Sequence, residues 1–97
     1  MPGSSELLDM AKTRLRLKSD AFDAELTMQI ESAKKQLKLS GVRPQFVDDA
    51  QDPMIVNAIT AYVCSQFGID NPDANRFFRI YSSFVQILTL SEEYRVG

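Results

Sequence analysis

The sequence contains no histidine, no tryptophan and only one cysteine among its 97 residues. Without histidine the commonest general base and metal ligand are missing, and Ser-His-Asp or Cys-His catalytic arrangements are impossible. The single thiol, Cys64, can form neither an internal disulfide nor a cysteine-based zinc cluster. Because no cationic residue lies near it in the sequence, we interpret Cys64 as a small buried hydrophobic residue.

An excess of basic residues is also absent. Lysine and arginine number 11 and the acids 13, which gives a formal net charge of −2. Domains that bind nucleic acid through its backbone usually carry a basic excess, so DNA binding is not expected to be the main activity. A helix-turn-helix reader is disfavoured as well, because DNA phosphates would repel Asp20, Asp23 and Glu25 at the start of its recognition helix.

Catalytic and metal-binding motifs are lacking too. The four glycines are scattered, so there is no glycine-rich phosphate loop. Carboxylates cluster only at Asp20, Asp23 and Glu25 and at Asp48, Asp49 and Asp52. Acids that precede a helix usually cap it or complement its dipole, so we expect no metal and no cofactor. A chain this short has little volume for an enclosed substrate pocket. We predict a non-enzymatic protein that works through a surface or interface.

No targeting segment is apparent. Residues 1–11 contain neither a basic start nor an apolar run, so no signal peptide is predicted. The longest uncharged stretch, Pro53–Ile69, is too short to span a bilayer comfortably. We expect a soluble protein with a single domain over residues 1–97, in which residues 1–5 are disordered and residues 91–97 form a C-terminal arm.

Caps and apolar spacing predict an all-α fold, a small bundle of four helices. The predicted helices run from about Ser5 to Leu17, from Ser19 or Asp20 to Leu39, from Pro53 to Gly68, and from about Pro72 to Leu90. Asp52-Pro53 and Asn71-Pro72 each place a capping residue before a proline, which favours a helix start. Because only Gly68–Asn71 joins the third and fourth helices, they are predicted to form an antiparallel hairpin. Gly41–Asp52 is predicted to be a loop.

The third and fourth helices have more apolar surface than one small subunit needs. Apolar residues of Pro53–Ile69 point to nearly every side of a helix, which suggests cover from partner subunits. Those of the fourth helix span about 180°, against the roughly 100° that burial needs. The surplus indicates self-association, unless the first three helices cover the fourth completely. The predicted subunit interface consists of Phe67, Phe78, Tyr81 and Val85.

Two further segments are candidate contact sites. Lys12, Arg14 and Arg16 lie near the end of the first helix, where cations complement the helix dipole. The same residues could instead contact a nucleic-acid phosphate or an acidic partner. Ser91–Gly97 is polar and is predicted to be an arm that becomes ordered on a partner.

Three blocks, in their order and spacing, carry a family resemblance. The first is Leu15-Arg16-Leu17 followed by Asp20–Leu26, and the second is Ile30–Lys34 with Gly41-Val42. The third comprises Asp52-Pro53, Ala58–Val63, Phe67–Ala74 and Ser91–Tyr94. In these blocks and in total length, the sequence resembles tailed-phage head-tail connectors, small helical adaptors often labelled DNA-packaging proteins. It departs from some relatives in having a short segment between Gly41 and Asp52.

The resemblance implies a structural virion protein located at the head-tail interface and assembled in the host cytoplasm. Identical subunits would form a ring beneath the portal protein, pass DNA through the channel and receive the next connector or tail protein. It further implies that Tyr94, Arg95 and Val96 contact the portal and that Lys12, Arg14 and Arg16 face the DNA. The alternative is a non-viral helical interaction or regulatory domain, monomeric or dimeric.

Overall fold

The computed structural model describes residues 4–68 and 71–97, and these residues form an all-helical fold. The helices are α1 (Ser4–Leu15), α2 (Asp23–Leu39), α3 (Pro44–Asp49), α4 (Pro53–Gln66) and α5 (Ala74–Leu90). The described ranges contain no strand, only an isolated antiparallel bridge between Val42 and Arg95. The all-α prediction is therefore confirmed. Most of the segment predicted to be disordered, residues 1–5, lies outside the described residues, although α1 begins at Ser4.

The prediction of four helices missed α3, which lies inside the segment predicted to be a loop. Pro44 occupies the first turn of this helix, where a missing backbone N–H costs no hydrogen bond. Ala50 ends the helix in the left-handed conformation with φ of 49°. Val47 is its buried residue. One buried side chain in six residues is too little periodicity to reveal a helix in the sequence.

The junction between α1 and α2 also differs from the prediction. Arg16 adopts φ of 59°, and the Leu17 N–H donates to the Lys12 carbonyl at 2.9 Å. This bond and the left-handed residue form a Schellman-type ending, so α1 stops at Leu15 and not at Leu17. α2 begins at Asp23, because the residues after Ser19 form a turn in which the Ser19 Oγ accepts from the Ala21 N–H.

The core is centred on α4, which packs against α1, α2 and α5. Its buried residues are Ile55, Ala58, Ile59, Thr60, Ala61, Val63 and Cys64. Thr60 satisfies its hydroxyl by donating to the Val56 carbonyl at 2.7 Å. Three neighbouring helices thus explain why the segment lacks charged residues. Cover from partner subunits, suggested by the sequence, is not needed for most of α4.

The flanking helices present narrow apolar stripes to α4. In α2 the stripe consists of Leu26, Ile30, Ala33 and Leu37, all fully buried. Phe22 lies before α2, outside this stripe, and is 41% exposed. In α5 the buried residues are Phe77, Tyr81 and Leu88. The remaining apolar residues of α5 are left nearer the surface and define the first candidate interaction surface.

Candidate interaction surfaces

Phe78 and Val85 lie along one edge of α5, beside its buried stripe. Phe78 is 48% exposed and Val85 is partly buried against the core. The Phe78 ring lies 6.1 Å from the ring of Tyr81, centroid to centroid. A large aromatic side chain that is half exposed, and whose ring packs on a buried tyrosine, is well placed to pack against another protein. We call Phe78 and Val85 the α5 edge.

Tyr81 and Phe67, predicted at the same interface, are placed differently. Tyr81 is only 7% exposed, and its ring packs at 5.0 Å on the ring of Tyr62. Burial raises the pKa of Tyr81 to about 12. Phe67 follows α4, and its ring packs edge-on against Phe22 at 5.2 Å. Neither residue belongs to the α5 edge. The Tyr81 ring packs beside Phe78, whereas the Phe67 ring packs against Phe22.

A second exposed apolar flank of α5 was not among the predicted site residues. Ile87 is 52% exposed and Leu90 is 68% exposed. Ile87 follows Phe78 by nine residues, which at about 100° per residue places it on the opposite side of the helix. The width of the apolar arc was the sequence signal for this flank. α5 therefore offers two different apolar flanks to solvent.

The basic cluster of α1 is partly neutralised within the subunit. The Lys12 Nζ lies 2.8 Å from Asp20 Oδ1 and 2.9 Å from Asp23 Oδ1. Hydrogen bonding to these two carboxylates raises the pKa of Lys12, and the same contact lowers the pKa of Asp20. Arg14 donates from Nη2 to Asn57 Oδ1 at 2.9 Å. Lys12 thus serves to tie α1 to the turn before α2.

Arg14 and Arg16 instead line an open depression between the end of α1 and the start of α5. Arg76 and Asp73 line the same depression, whose volume is about 350 Å³. The Arg76 Nε lies 3.7 Å from Asp73 Oδ1, and its guanidinium is 5.0 Å from the Phe77 ring centroid. Sequence reasoning missed Arg76 because it lies sixty residues from Arg16 on another helix. We call this depression the arginine pocket.

The C-terminal segment is held against the chain's own fold. Tyr94 is 9% exposed, and its hydroxyl donates to Asp52 Oδ2 at 2.6 Å. This hydrogen bond, with burial, raises the pKa of Tyr94 to about 12. The Arg43 N–H donates to the Tyr94 carbonyl, and the Val96 N–H to the Gly41 carbonyl, both at 2.7 Å. The segment predicted to be an arm is therefore anchored within the subunit from Tyr94 to Val96.

The same segment still presents exposed side chains. Val96 is 59% exposed, and the Glu92 side chain is 90% exposed. Glu93 is also exposed. The Arg95 Nη2 lies 3.8 Å from Glu92 Oε1, a distant ion pair, while the Arg43 Nε donates to the Arg95 carbonyl at 2.8 Å. We call the exposed pair Glu92 and Glu93 the acidic turn.

Other chemistry is sparse in the described part of the chain. Cys64 is fully buried and free, and burial raises its pKa to about 11. Within residues 4–68 and 71–97, no three cysteine or acidic side chains gather where they could hold a metal ion. No helix in these ranges has the length and apolarity required to cross a membrane.

Comparison with known proteins gives a family match over almost the whole chain. A family model described as phage connector protein matches residues 7–95, which include α2 to α5 and most of α1. Searches of curated proteins and of solved structures returned no match. The matched span carries every candidate interaction surface except Val96. The chain therefore belongs to the phage connector protein family.

Proposed function

We propose that the protein is a head-tail connector that assembles as a ring of identical subunits beneath the portal of a tailed phage. Family membership supports a structural role in the phage particle and contact with other head or tail proteins. It also favours this role over a non-viral regulatory domain. Packaged DNA would pass through the ring, which then receives the next connector or a tail protein.

The observation that carries the ring is the pair of apolar flanks on α5. A ring is built from heterologous contacts, in which two different patches of each subunit meet head to tail. Phe78 on one flank and Ile87 on the other are each about half exposed. Exposed apolar side chains on two sides of one helix suit two different neighbours. We assign Phe78 and Val85 to the subunit interface, with the Tyr81 ring supporting Phe78; Phe67, which packs on Phe22, is left out of this assignment.

We infer that α4 and α5 form an antiparallel hairpin, which would present these flanks on a rigid unit. The contact between the rings of Tyr62 and Tyr81 supports this arrangement. Asn71 supports it too, because its Nδ2 donates to the carbonyls of Cys64 at 2.8 Å and Phe67 at 3.2 Å. Asn71 thereby ties the start of the segment leading to α5 to the end of α4. Part of the predicted link, residues 69 and 70, lies outside the described residues.

The portal contact is proposed for the exposed side of the C-terminal segment. Val96 offers an apolar side chain there, whereas Tyr94 and the Arg95 carbonyl are used to hold the segment in place. The assignment of Lys12, Arg14 and Arg16 to a DNA-facing surface stays a prediction. Lys12 and Arg14 already have polar partners inside the subunit, so Arg16 is the member of that group with most freedom to contact another molecule.

The interface assignment is tested by Phe78→Asp, with Ser32→Asp as the matched control. Both positions are exposed on helices, and both substitutions add one negative charge. Purified variants are mixed with portal rings of the same phage, and ring assembly is followed by electron microscopy and sedimentation. We expect Phe78→Asp to abolish assembly because it places a charge in a desolvated contact, and Ser32→Asp to preserve it. Intact rings with Phe78→Asp would contradict the interface.

A further inference from the structure

We propose that the arginine pocket binds the carboxylates of the acidic turn of a second copy of this chain. The inference rests on the ring proposed above and identifies one contact between neighbouring subunits. Two observations carry it: a surplus of positive charge in the pocket, and an exposed pair of acids fixed at the other end of α5.

Among residues 4–68 and 71–97, the arginines that line the pocket outnumber its carboxylates. Of the described residues, Arg14, Arg16 and Arg76 line it together with one carboxylate, Asp73. Asp73 lies 3.7 Å from Arg76, a loose contact between exposed side chains. The guanidinium of Arg16 has no hydrogen-bond or ion-pair partner among the described residues. Because guanidinium groups bind carboxylates through two parallel hydrogen bonds, the pocket is suited to a carboxylate ligand.

The acidic turn is presented by a fixed backbone. The Tyr94 N–H donates to the Ser91 carbonyl at 3.2 Å, and the Glu93 N–H donates to the Ser91 Oγ at 3.3 Å. The Tyr94 ring and hydroxyl anchor this turn on Phe46 and Asp52. A pre-ordered turn loses little conformational entropy when it binds. When Glu92 and Glu93 bind a neighbour, only their side chains and not the backbone of the turn would then lose freedom.

The positions of the two surfaces favour a contact between copies. The arginine pocket lies at the start of α5 and the acidic turn directly follows its end. A helix of 17 residues is about 25 Å long, so a subunit cannot place its own acidic turn in its own pocket. A head-to-tail ring requires two different complementary patches on each subunit, and these two lie at the two ends of α5.

Apolar side chains beside the charges extend this complementarity. Leu90, 68% exposed, immediately precedes the acidic turn. On the other side, Leu15 and Phe77 help to line the arginine pocket. A contact that buries Leu90 against them would exclude water from the ion pairs and strengthen them. A phosphate group offers no apolar side chain to cover Leu15 and Phe77, so a protein turn preceded by the exposed Leu90 fits this surface better than DNA does.

The test is a charge exchange. One variant carries Arg16→Glu and Arg76→Glu, a second carries Glu92→Arg and Glu93→Arg, and a third combines all four substitutions. Assembly is measured by sedimentation velocity, alone and on portal rings of the same phage, at moderate salt. We expect each two-site variant to assemble about tenfold more weakly or worse, and the four-site variant to regain assembly. Lys35→Glu with Arg79→Glu is the control, with the same charge change at exposed positions outside the pocket.

The outcomes separate this contact from the ring itself. If the wild-type chain assembles and Phe78→Asp prevents it, but the four-site variant gives no recovery, the ring stands and the contact is wrong. A wild-type chain that assembles neither alone nor on the portal contradicts both. If Arg16→Glu with Arg76→Glu leaves assembly unchanged but weakens binding of a short DNA duplex, the pocket is a phosphate site and the proposal is overturned. If charge reversal impairs folding, the variant with Arg16→Gln and Arg76→Gln repeats the test, because it removes the positive charges without adding negative ones.

Discussion

Tyr94 donates a hydrogen bond from its hydroxyl to Asp52 Oδ2, and so joins the C-terminal turn to the start of α4. The other oxygen of the same carboxylate, Oδ1, accepts from the Met54 N–H at 2.9 Å and caps α4. Asp52 is therefore both a helix cap and an anchor for residues 42 positions later. A change in either contact affects the end of the chain and the central helix together.

Tyr94→Phe is expected to lower the free energy of unfolding by about 1.5 kcal/mol, because hydrogen bonds to charged groups contribute about that much. The phenyl ring would keep its contact with Phe46, so the change isolates the hydroxyl. Urea denaturation followed by circular dichroism measures the effect. Tyr62→Phe is the control, since its hydroxyl has no hydrogen-bond partner within the described residues. Equal losses in the two variants would contradict a special role for the bond to Asp52.

Alkaline pH should destabilise the protein through its raised tyrosine pKa values. Folding raises the pKa of Tyr94 from 10.0 to about 12, because the protonated phenol donates to Asp52. The protonated form is favoured in the folded state, so this stabilisation is complete below pH 10 and is lost as pH rises through about 12. Burial of Tyr81 acts in the same direction and over the same range. Urea denaturation across this range should show a shallower decline for Tyr94→Phe than for the wild type; parallel curves would refute the assignment.

Cys64 should be unreactive in the folded protein. Burial raises its pKa from 9.0 to about 11, which lowers the thiolate fraction about a hundredfold near pH 8. Because the side chain is fully buried, access by a reagent requires local or global opening as well. The rate of modification by a chromogenic disulfide reagent, with and without denaturant, measures this protection. A rate in the folded protein equal to that in denaturant would show that α4 is not covered as described.

Arg16→Gly should stabilise the subunit while weakening its assembly. Arg16 has φ of 59°, a conformation that costs a residue with a Cβ about 1 kcal/mol and costs glycine almost nothing. Arg16→Ala removes the same guanidinium but keeps the backbone strain, so the difference in unfolding free energy between the two variants isolates the backbone effect. Both should assemble more weakly if the arginine pocket binds a neighbour. No stability difference between them would exclude strain at this position.

Local signals in the sequence located the main helices. Asp52-Pro53 predicted the start of α4, and the observed cap shows why: the aspartate accepts from Met54 while the proline needs no acceptor. The buried residues of α2 repeat on one face over several turns, a spacing that predicts a helix. α3 was missed because six residues hold little more than one turn of pattern. The end of α1 was missed because an arginine, and not a glycine, adopts the left-handed conformation there.

The candidate surfaces were predicted less completely, for a geometric reason. Periodicity shows that Phe78, Tyr81 and Val85 share one side of α5, but it does not show where the neighbouring helix covers that side. Tyr62 of α4 packs on Tyr81, which is buried, whereas Phe78 is left about half exposed. In the same way, Arg76 joins Arg14 and Arg16 only because α1 and α5 meet in space. Such groupings depend on tertiary contacts that no local pattern encodes.

The uncharged α4 has a consequence for how this protein can diverge. α4 supports the other long helices through buried apolar side chains, whereas the exposed residues of α5, the arginine pocket and the acidic turn are largely separate from that support. Substitutions at the surface can therefore accumulate without unfolding the subunit. A substitution at these surfaces should therefore change what the subunit contacts, whereas a polar substitution among the buried residues of α4 should change whether it folds.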